Sequence, residues 1–178
     1  DVCSSDLGGG SAEAIVSENG RMTAAFSKPL GAVRLHQMFL QADPPTDDDL
    51  DRLHGFIDEK IHSALKKVGK GGFDRVIATS STAAAVICAV NGIDRREREL
   101  ADRKRASTAQ VERLVAALSL EPVAVRRKRA GIGPRRAEII VAGATVLSRM
   151  LRAFGAKAVH YSVAGVRDGI IADLAARR

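Results

Sequence analysis

A run of three glycines close to the start of the chain is the feature that most restricts how it can fold. It lies in the segment Asp6-Leu7-Gly8-Gly9-Gly10-Ser11-Ala12-Glu13. Consecutive glycines permit a sharp turn and let an anion reach main-chain N–H groups without meeting a Cβ atom. Ser11 adds a hydroxyl, and the carboxylates of Asp6 and Glu13 flank the turn. Carboxylate oxygens are ligands that Mg²⁺ prefers when it also binds phosphate oxygens. A flexible glycine linker is the alternative interpretation.

The residues after the glycines predict a β-hairpin. Ala12–Val16 and Arg21–Ser27 are the predicted strands, and Asn19-Gly20 between them is the strongest short signal for a type I′ turn. If the first strand begins at Ser11, then Ser11 and Glu13 project to the same side, because side chains alternate along a strand. The sequence therefore predicts that a phosphate-binding turn and a metal-binding carboxylate face one cleft.

Hydrophobic spacing and breaker residues predict alternating helices and strands after the hairpin. In order, these are a helix from Ala32, a helix from Thr46 to Gly69, a strand at Phe73–Ala78, a helix at Ala83–Val90, a helix after Ser107, a long helix from Pro134 to Phe154, a strand at Lys157–Ser162 and a helix at Val166–Leu174. This alternation indicates an α/β fold, and the length suits a single domain over residues 1–178. No apolar run is long enough for a membrane span.

A hydroxyl-rich turn joins the predicted strand at Phe73–Ala78 to the next helix. It consists of Thr79, Ser80, Ser81 and Thr82. A strand-turn-helix unit leaves free N–H groups at the start of the helix, which suits an anion. Simple N-capping by Ser81 or Thr82 explains the same residues equally well.

Charge indicates a polyanionic partner. The formal net charge is +7, and 13 of the 28 Lys and Arg residues lie in Asp94–Arg136. Nucleic acid and polyphosphate both fit such a surface, and a solvated basic face is the simpler alternative. Aromatic residues make up 3% of the chain, which argues against binding of single-stranded nucleic acid by base stacking.

Other metal or redox sites are not indicated by the sequence. Cys3 and Cys88 are far apart in the sequence and form no C-x-x-C motif, so neither a zinc site nor a disulfide framework is predicted. His54 and His62 lie on a predicted helix without a matching set of ligands. A reducing cytoplasm is the expected compartment.

Several segments together resemble the exopolyphosphatase and guanosine pentaphosphate phosphohydrolase family, within the actin-like ATPase and sugar-kinase superfamily. The segments that carry this resemblance are Asp6–Glu13, Lys28–Leu35, Ile77–Ala83, Arg136–Gly143 and Gly165–Ile171. They occur in the family's order and run nearly from end to end. Two positions depart from the family pattern, because Ala78 and Ser81 stand where the family has glycines.

The resemblance implies the fold and its place in a larger protein. It implies a ribonuclease-H-like α/β lobe of the actin-like ATPase superfamily, with a mixed sheet flanked by helices and an inserted helical stretch. This lobe is the second of two, and the first lobe, with a glutamate that acts as general base, lies upstream of Asp1. Residues 1–5 fit poorly to the apolar strand that precedes the family's glycine loop, so they are expected to be an aberrant or incomplete start.

The resemblance also implies the chemistry. The intact protein is expected to hydrolyse terminal phosphoanhydride bonds of inorganic polyphosphate, or of guanosine pentaphosphate, with Mg²⁺. Asp6 and Glu13 are then the catalytic carboxylates and metal ligands. The expected phosphate-binding residues are Gly8, Gly9, Gly10, Ser11, Arg34, Thr79, Ser80, Ser81 and Thr82. The alternatives are a lobe that binds polyphosphate or an alarmone without turnover, a kinase of the same superfamily, and a basic nucleic-acid-binding domain. The cleft face of a single lobe also predicts that a homodimer can form.

Overall fold

The strands of the protein form a mixed sheet. A computed structural model describes residues 2–68 and 73–177 of the 178-residue chain. The strands are β1 (Val2–Leu7), β2 (Ala12–Glu18), β3 (Arg21–Lys28), β4 (Arg75–Ala78), β5 (Arg105–Ser107) and β6 (Ala158–Tyr161). They lie in the order β3-β2-β1-β4-β6-β5. β1, β4 and β6 are parallel, whereas β2 and β5 run antiparallel to their neighbours.

The helices follow the predicted order with two differences. They are α1 (Ala32–Phe39), α2 (Asp47–Val68), α3 (Ser81–Asn91), α4 (Thr108–Leu120), α5 (Val123–Arg126), α6 (Pro134–Ala137), α7 (Ile140–Ala153) and α8 (Val166–Ala176), with a 3₁₀ helix at Arg95–Ala101. The first difference is that the long helix predicted from Pro134 is divided into α6 and α7, and the second is that the short elements α5, β5 and the 3₁₀ helix were not predicted. The predicted end of α2 at Gly69 lies outside the described residues. The α/β fold class is confirmed.

Local sequence signals account for several boundaries. Asn19 and Gly20 have φ angles of 50° and 76°, which is the backbone that a type I′ turn requires. A capping box is present at the start of α2, where the Asp49 N–H donates to Thr46 Oγ1 and the Thr46 N–H donates to Asp49 Oδ2. Gly92 ends α3 with a φ of 68°.

The central strand β1 corrects one prediction. Residues 1–5 were expected to fit poorly to a strand, but Val2–Leu7 pairs with β2 on one side and with β4 on the other. Cys3 and Ser5 are buried in the core, and the side chains alternate regularly between the two faces. Main-chain pairing on both sides therefore outweighs the weak strand propensity of these residues. Whether they are an aberrant start stays a prediction.

Helix α7 packs closely against the helices that border the glycine loop. A Cβ atom on Gly143 would lie 2.7 Å from Thr82 Cγ2 and 3.1 Å from Ala32 Cβ. The absence of a side chain at Gly143 therefore permits this close approach. Since Ala32 begins α1 and Thr82 lies in the first turn of α3, this contact fixes the starts of both helices relative to each other.

The terminal helix α8 makes little contact with the rest of the fold. None of its residues is buried, and Val166, Ile170, Ile171 and Leu174 are all more than half exposed. Homodimer formation stays a prediction. Among the residues that the structure describes, no helix is both long and apolar enough to span a membrane.

Candidate functional site

The glycine loop connects β1 to β2 and is held by helix α1. The Gly8 N–H donates to the Ser11 carbonyl at 3.0 Å, which closes the turn. The Gly8 carbonyl accepts from the Ala32 N–H, and the Gly9 carbonyl accepts from the first-turn N–H groups of Val33 and Arg34 at 3.0–3.1 Å. The first N–H groups of α1 are therefore used by the loop, so they are not an anion site.

Two N–H groups of the loop remain available. Within residues 2–68 and 73–177, the N–H groups of Gly9 and Gly10 donate no hydrogen bond. Both residues are exposed, and a Cβ on Gly10 would meet no atom within 4 Å. Neither adopts a left-handed φ. The absence of side chains at these glycines therefore leaves their main-chain N–H groups accessible to an anion, and no unusual backbone conformation is involved.

Gly31 is a part of this site that the sequence analysis missed. A Cβ atom at this position would lie 2.3 Å from the N and C atoms of Gly10 and from the C atom of Gly9. The main chain before α1 therefore passes directly against the loop, and only glycine leaves room for it. The available signal was Gly31 itself, within the segment Lys28–Leu35 that carries the family resemblance.

Asp6 and Glu13 are brought together by the register between β1 and β2. They face each other on the antiparallel strands β1 and β2, which places their Cβ atoms about 5 Å apart. Both are half-buried, on the sheet face opposite the core. They line a hollow of about 450 Å³ together with Thr79 and Val166. The two carboxylates therefore share one hollow, as the sequence predicted, whereas their roles stay a prediction.

Ser27 was also missed by the sequence analysis. It lies on β3 opposite Glu13, and its hydroxyl donates to Glu13 Oε1 at 2.7 Å. This hydrogen bond fixes one oxygen of the carboxylate. Because Glu13 would bind a metal through the same group, Ser27 is placed to orient a metal ligand.

The hydroxyl-rich turn places only two of its four side chains at open surfaces. Thr79 lines the hollow of Asp6 and Glu13. Ser80 is buried, and its hydroxyl caps α3 by accepting from the Ala83 N–H at 3.0 Å. The N-cap is therefore Ser80, not Ser81 or Thr82 as the sequence suggested. Thr82 is also buried, so Ser80 and Thr82 have partners within the protein that compete with a direct phosphate contact.

Arg136 adds a cation to this turn. Its Nη2 donates to Ser81 Oγ at 2.7 Å and its Nη1 donates to Thr82 Oγ1 at 3.2 Å. Burial lowers the pKa of the Arg136 guanidinium. Ser81 and Arg136 line a pocket of about 620 Å³ whose other charged lining residues are Arg95, Arg98 and Arg135. This pocket suits an anion, and the arginine that begins the Arg136–Gly143 segment was the signal for it.

The predicted site residues therefore border three neighbouring surfaces. Asp6, Glu13 and Thr79 line the first hollow. Gly9, Gly10 and Arg34 line a second hollow of about 590 Å³, where Arg34 Nε donates to the Gly10 carbonyl at 3.1 Å. Ser81 belongs to the arginine-lined pocket. The cleft predicted for the glycine turn and Glu13 therefore consists of two neighbouring hollows, with Gly9 and Gly10 at one and Asp6 and Glu13 at the other.

The first hollow fits a magnesium ion. Asp6 and Glu13 offer hard carboxylate oxygens from adjacent strands, and Mg²⁺ commonly binds through one or two carboxylates together with substrate phosphates and water. No group of three or more His, Cys, Asp or Glu side chains in the described part of the chain could hold a metal by itself. The phosphate would therefore complete the coordination, which suits a metal that binds with its substrate.

The fold and this site define a lobe of the actin-like ATPase type, in which the first strand of a mixed sheet carries an acid and leads into a glycine loop. The chain belongs to the Ppx/GppA phosphatase family, whose model matches residues 1–178. It is 32% identical over 168 residues to exopolyphosphatase 1 of Mycobacterium leprae, covering 93% of this chain and 49% of that protein. The chain thus spans about half the length of the curated relatives that it matches.

Solved structures agree on the fold. The structure of an exopolyphosphatase-like protein has a TM-score of 0.90 and 27% identity, covering 99% of this chain and 58% of that one. The Ppx/GppA phosphatase of Aquifex aeolicus, in its type II variant, has a TM-score of 0.85 and 23% identity, covering 97% and 56%. The predicted ribonuclease-H-like fold is confirmed.

Replacing Ser27 by alanine is expected to weaken metal binding about tenfold, the lower end of the range for residues that orient metal ligands. The Ser27 hydroxyl holds Glu13 Oε1, and its loss frees the carboxylate to rotate. The measurement is the Mn²⁺ concentration at half-saturation, followed by electron paramagnetic resonance. Ser17→Ala, on the same sheet face, is the control. Equal affinities for all three proteins would show that Ser27 has no orienting role.

Proposed function

We propose that the protein carrying this chain hydrolyses terminal phosphoanhydride bonds of inorganic polyphosphate with Mg²⁺. The observation that carries the proposal is the pairing of Asp6 with Glu13 at the exposed glycine loop. Hydrolysis of a phosphoanhydride needs alignment and neutralisation of charge more than covalent chemistry. Two carboxylates for a metal and two free N–H groups for a phosphate supply these needs.

Each group of the site has a defined part in this proposal. Asp6 and Glu13 would hold Mg²⁺, which would supply positive charge to the phosphate oxygens. The N–H groups of Gly9 and Gly10 donate to oxygens of the terminal phosphate and keep its orientation fixed. Thr79 borders the same hollow with a hydroxyl. Ser80 and Thr82 support this wall from within the protein rather than touching the substrate.

The charge distribution supports a long polyanion. The net charge is +7, and the pocket next to the hydroxyl-rich turn is lined by four arginines. A relative that matches 93% of this chain is called exopolyphosphatase 1. Inorganic polyphosphate has no bases, so a chain with 3% aromatic residues needs no stacking surface to bind it.

Guanosine pentaphosphate is the second substrate that this site could accept. The arginine-lined pocket has a volume of about 620 Å³, which leaves room for a nucleoside as well as a phosphate chain. Both substrates would present a terminal phosphate to Asp6 and Glu13. A competition assay tests whether guanosine pentaphosphate is also a substrate. If it is, it inhibits polyphosphate hydrolysis and phosphate is released from it.

The proposal is tested by phosphate release from polyphosphate. We expect release that depends on Mg²⁺ and stops when the metal is chelated, measured on the chain and on any longer protein of which it is a part. Tight polyphosphate binding without release from either protein would instead support the binding-lobe alternative. Binding of duplex DNA that polyphosphate does not displace would support a nucleic-acid-binding domain and contradict the proposal.

A further inference from the structure

A basic pocket lies on the same sheet face as Asp6 and Glu13, away from the glycine loop. Its volume is about 360 Å³, and its charged or titratable lining residues are Asp74, Arg75, Arg105, Lys157 and His160. We call it the basic pocket. Three permanent cations therefore face one carboxylate around a concave surface, which favours an anionic ligand.

Strand register shows that the basic pocket shares one sheet face with the hollow lined by Asp6, Glu13 and Thr79, which we call the acidic hollow. Arg75 pairs with Val2, and Ile77 pairs with Ser4, two residues before Asp6 on β1. His160 on β6 pairs with Ile77 on β4 and with Arg105 on β5. Paired residues of a sheet point to the same side, so the side chains of Arg75, Arg105 and His160 project from the face that carries Asp6.

The distance between the two sites suits a long ligand. Arg75 is four residues along and one strand across from Asp6, and Arg105 is two residues along and three strands across. With ordinary strand spacings, both arginine Cα atoms lie roughly 15 Å from that of Asp6. A short phosphate ester at the acidic hollow cannot reach them, whereas an extended polyphosphate can.

The cations of the basic pocket have no ion-pair partner among the described residues. Within residues 2–68 and 73–177, Arg75, Arg105 and Lys157 form no ion pair and their side chains donate no hydrogen bond. By contrast, Arg149 forms a two-point pair with Asp58 on the helical side of the fold. Guanidinium groups without a carboxylate partner keep all their donors for phosphate oxygens.

We propose that the basic pocket binds the distal part of a long polyphosphate chain whose terminal phosphate lies at Asp6 and Glu13. This inference rests on the proposed function and adds to it a preference for long chains. Arg75 and Arg105 supply charge-assisted hydrogen bonds to phosphate oxygens, and Lys157 adds a third positive charge at the rim. No covalent step takes place in the basic pocket.

His160 reports on occupancy of the basic pocket without any need for activity. Burial lowers the pKa of this imidazole, and the nearby charges of Arg75 and Arg105 lower it further. A bound polyphosphate segment offsets these positive charges, so the pKa of His160 should rise. Asp74, Arg75, Arg105 and Lys157 are the charged groups that line the pocket with it.

The first test follows His160 by NMR during a pH titration of the 178-residue chain. We expect long-chain polyphosphate to raise the pKa of His160, and tripolyphosphate at the same phosphate concentration to leave it nearly unchanged. No rise with long-chain polyphosphate would overturn the inference. An equal rise with duplex RNA would also overturn it, because the pocket would then be a general polyanion surface.

The second test uses the double variant Arg75→Gln/Arg105→Gln. We expect the KM for long-chain polyphosphate to rise about tenfold, as loss of charge-assisted hydrogen bonds predicts, with hydrolysis of tripolyphosphate unchanged. Lys66→Gln/Arg113→Gln removes two exposed charges from α2 and α4 and is the matched control.

Equal loss for both substrates, or for both double variants, would contradict a distal site and leave the proposed hydrolysis intact. Absence of hydrolysis by every protein, with the His160 response preserved, would reject the proposed function alone.

Discussion

Asp6→Asn should lower polyphosphate hydrolysis by roughly 10²- to 10³-fold, the range seen when one preorganised electrostatic contact is removed from a transition state. The side chain of Asp6 is half-buried on the open sheet face and forms no hydrogen bond or ion pair within the described residues. An amide of the same shape therefore leaves packing unchanged but is a poor ligand for Mg²⁺. The measurements are kcat/KM and the midpoint of thermal unfolding, and the midpoint should not change.

Two further variants make this prediction specific. Glu13→Gln should cause a loss similar to that of Asp6→Asn, and the double variant should lose little more, because both carboxylates would serve one metal. Asp51→Asn removes the same charge from the exposed surface of α2 and should retain activity. Activity of Asp6→Asn within threefold of the unchanged protein would contradict the assignment of the acidic hollow as the reaction centre.

The acidic hollow was accessible from the sequence because it depends on local rules. The Asn19-Gly20 turn joins β2 to β3, and strand alternation along β2 determines which side Glu13 faces. Asp6 precedes the glycine loop on the neighbouring strand, so its position opposite Glu13 is set by that loop, which the Gly8 N–H closes onto the Ser11 carbonyl. Turns and strand alternation depend on residues that are close in the sequence, so a single sequence is enough to predict them.

Features that depend on contacts between distant segments were not accessible in the same way. Ser27 reaches Glu13 across the hairpin, and Arg136 reaches Ser81 from 55 residues away. β5 is three residues long and exists because its main chain pairs with β6, not because Arg105–Ser107 has strong strand propensity. These contacts arise only when the sheet and helices are assembled.

Gly31→Ala should destabilise the protein by about 1–3 kcal/mol, the usual cost of forcing extra atoms into a well-packed site. The φ and ψ angles of Gly31 are −68° and 143°, which alanine adopts readily, so the cost is steric alone. The new methyl group would lie 2.3 Å from main-chain atoms of Gly9 and Gly10. Since main-chain atoms cannot rotate away as a side chain does, the loop must move.

Movement of the loop should also impair function. The N–H groups of Gly9 and Gly10 are proposed to bind the terminal phosphate, and a misplacement of about 1 Å costs on the order of 10²-fold in rate. We therefore expect a loss of polyphosphate hydrolysis that is larger than the loss of stability explains. The measurements are the free energy of unfolding from urea titration and kcat/KM under conditions where the variant is fully folded.

Gly55→Ala is a matched control for this prediction. Gly55 lies within α2, is exposed, and a Cβ there would meet no atom within 4 Å. The same substitution should stabilise the protein by about 0.5–1 kcal/mol, because alanine is the better helix former, and should leave hydrolysis unchanged. Opposite signs for the two variants would show that the effect at Gly31 comes from its contact with the loop. If Gly31→Ala proves as stable and as active as the unchanged protein, the main chain before α1 does not hold the glycine loop in place.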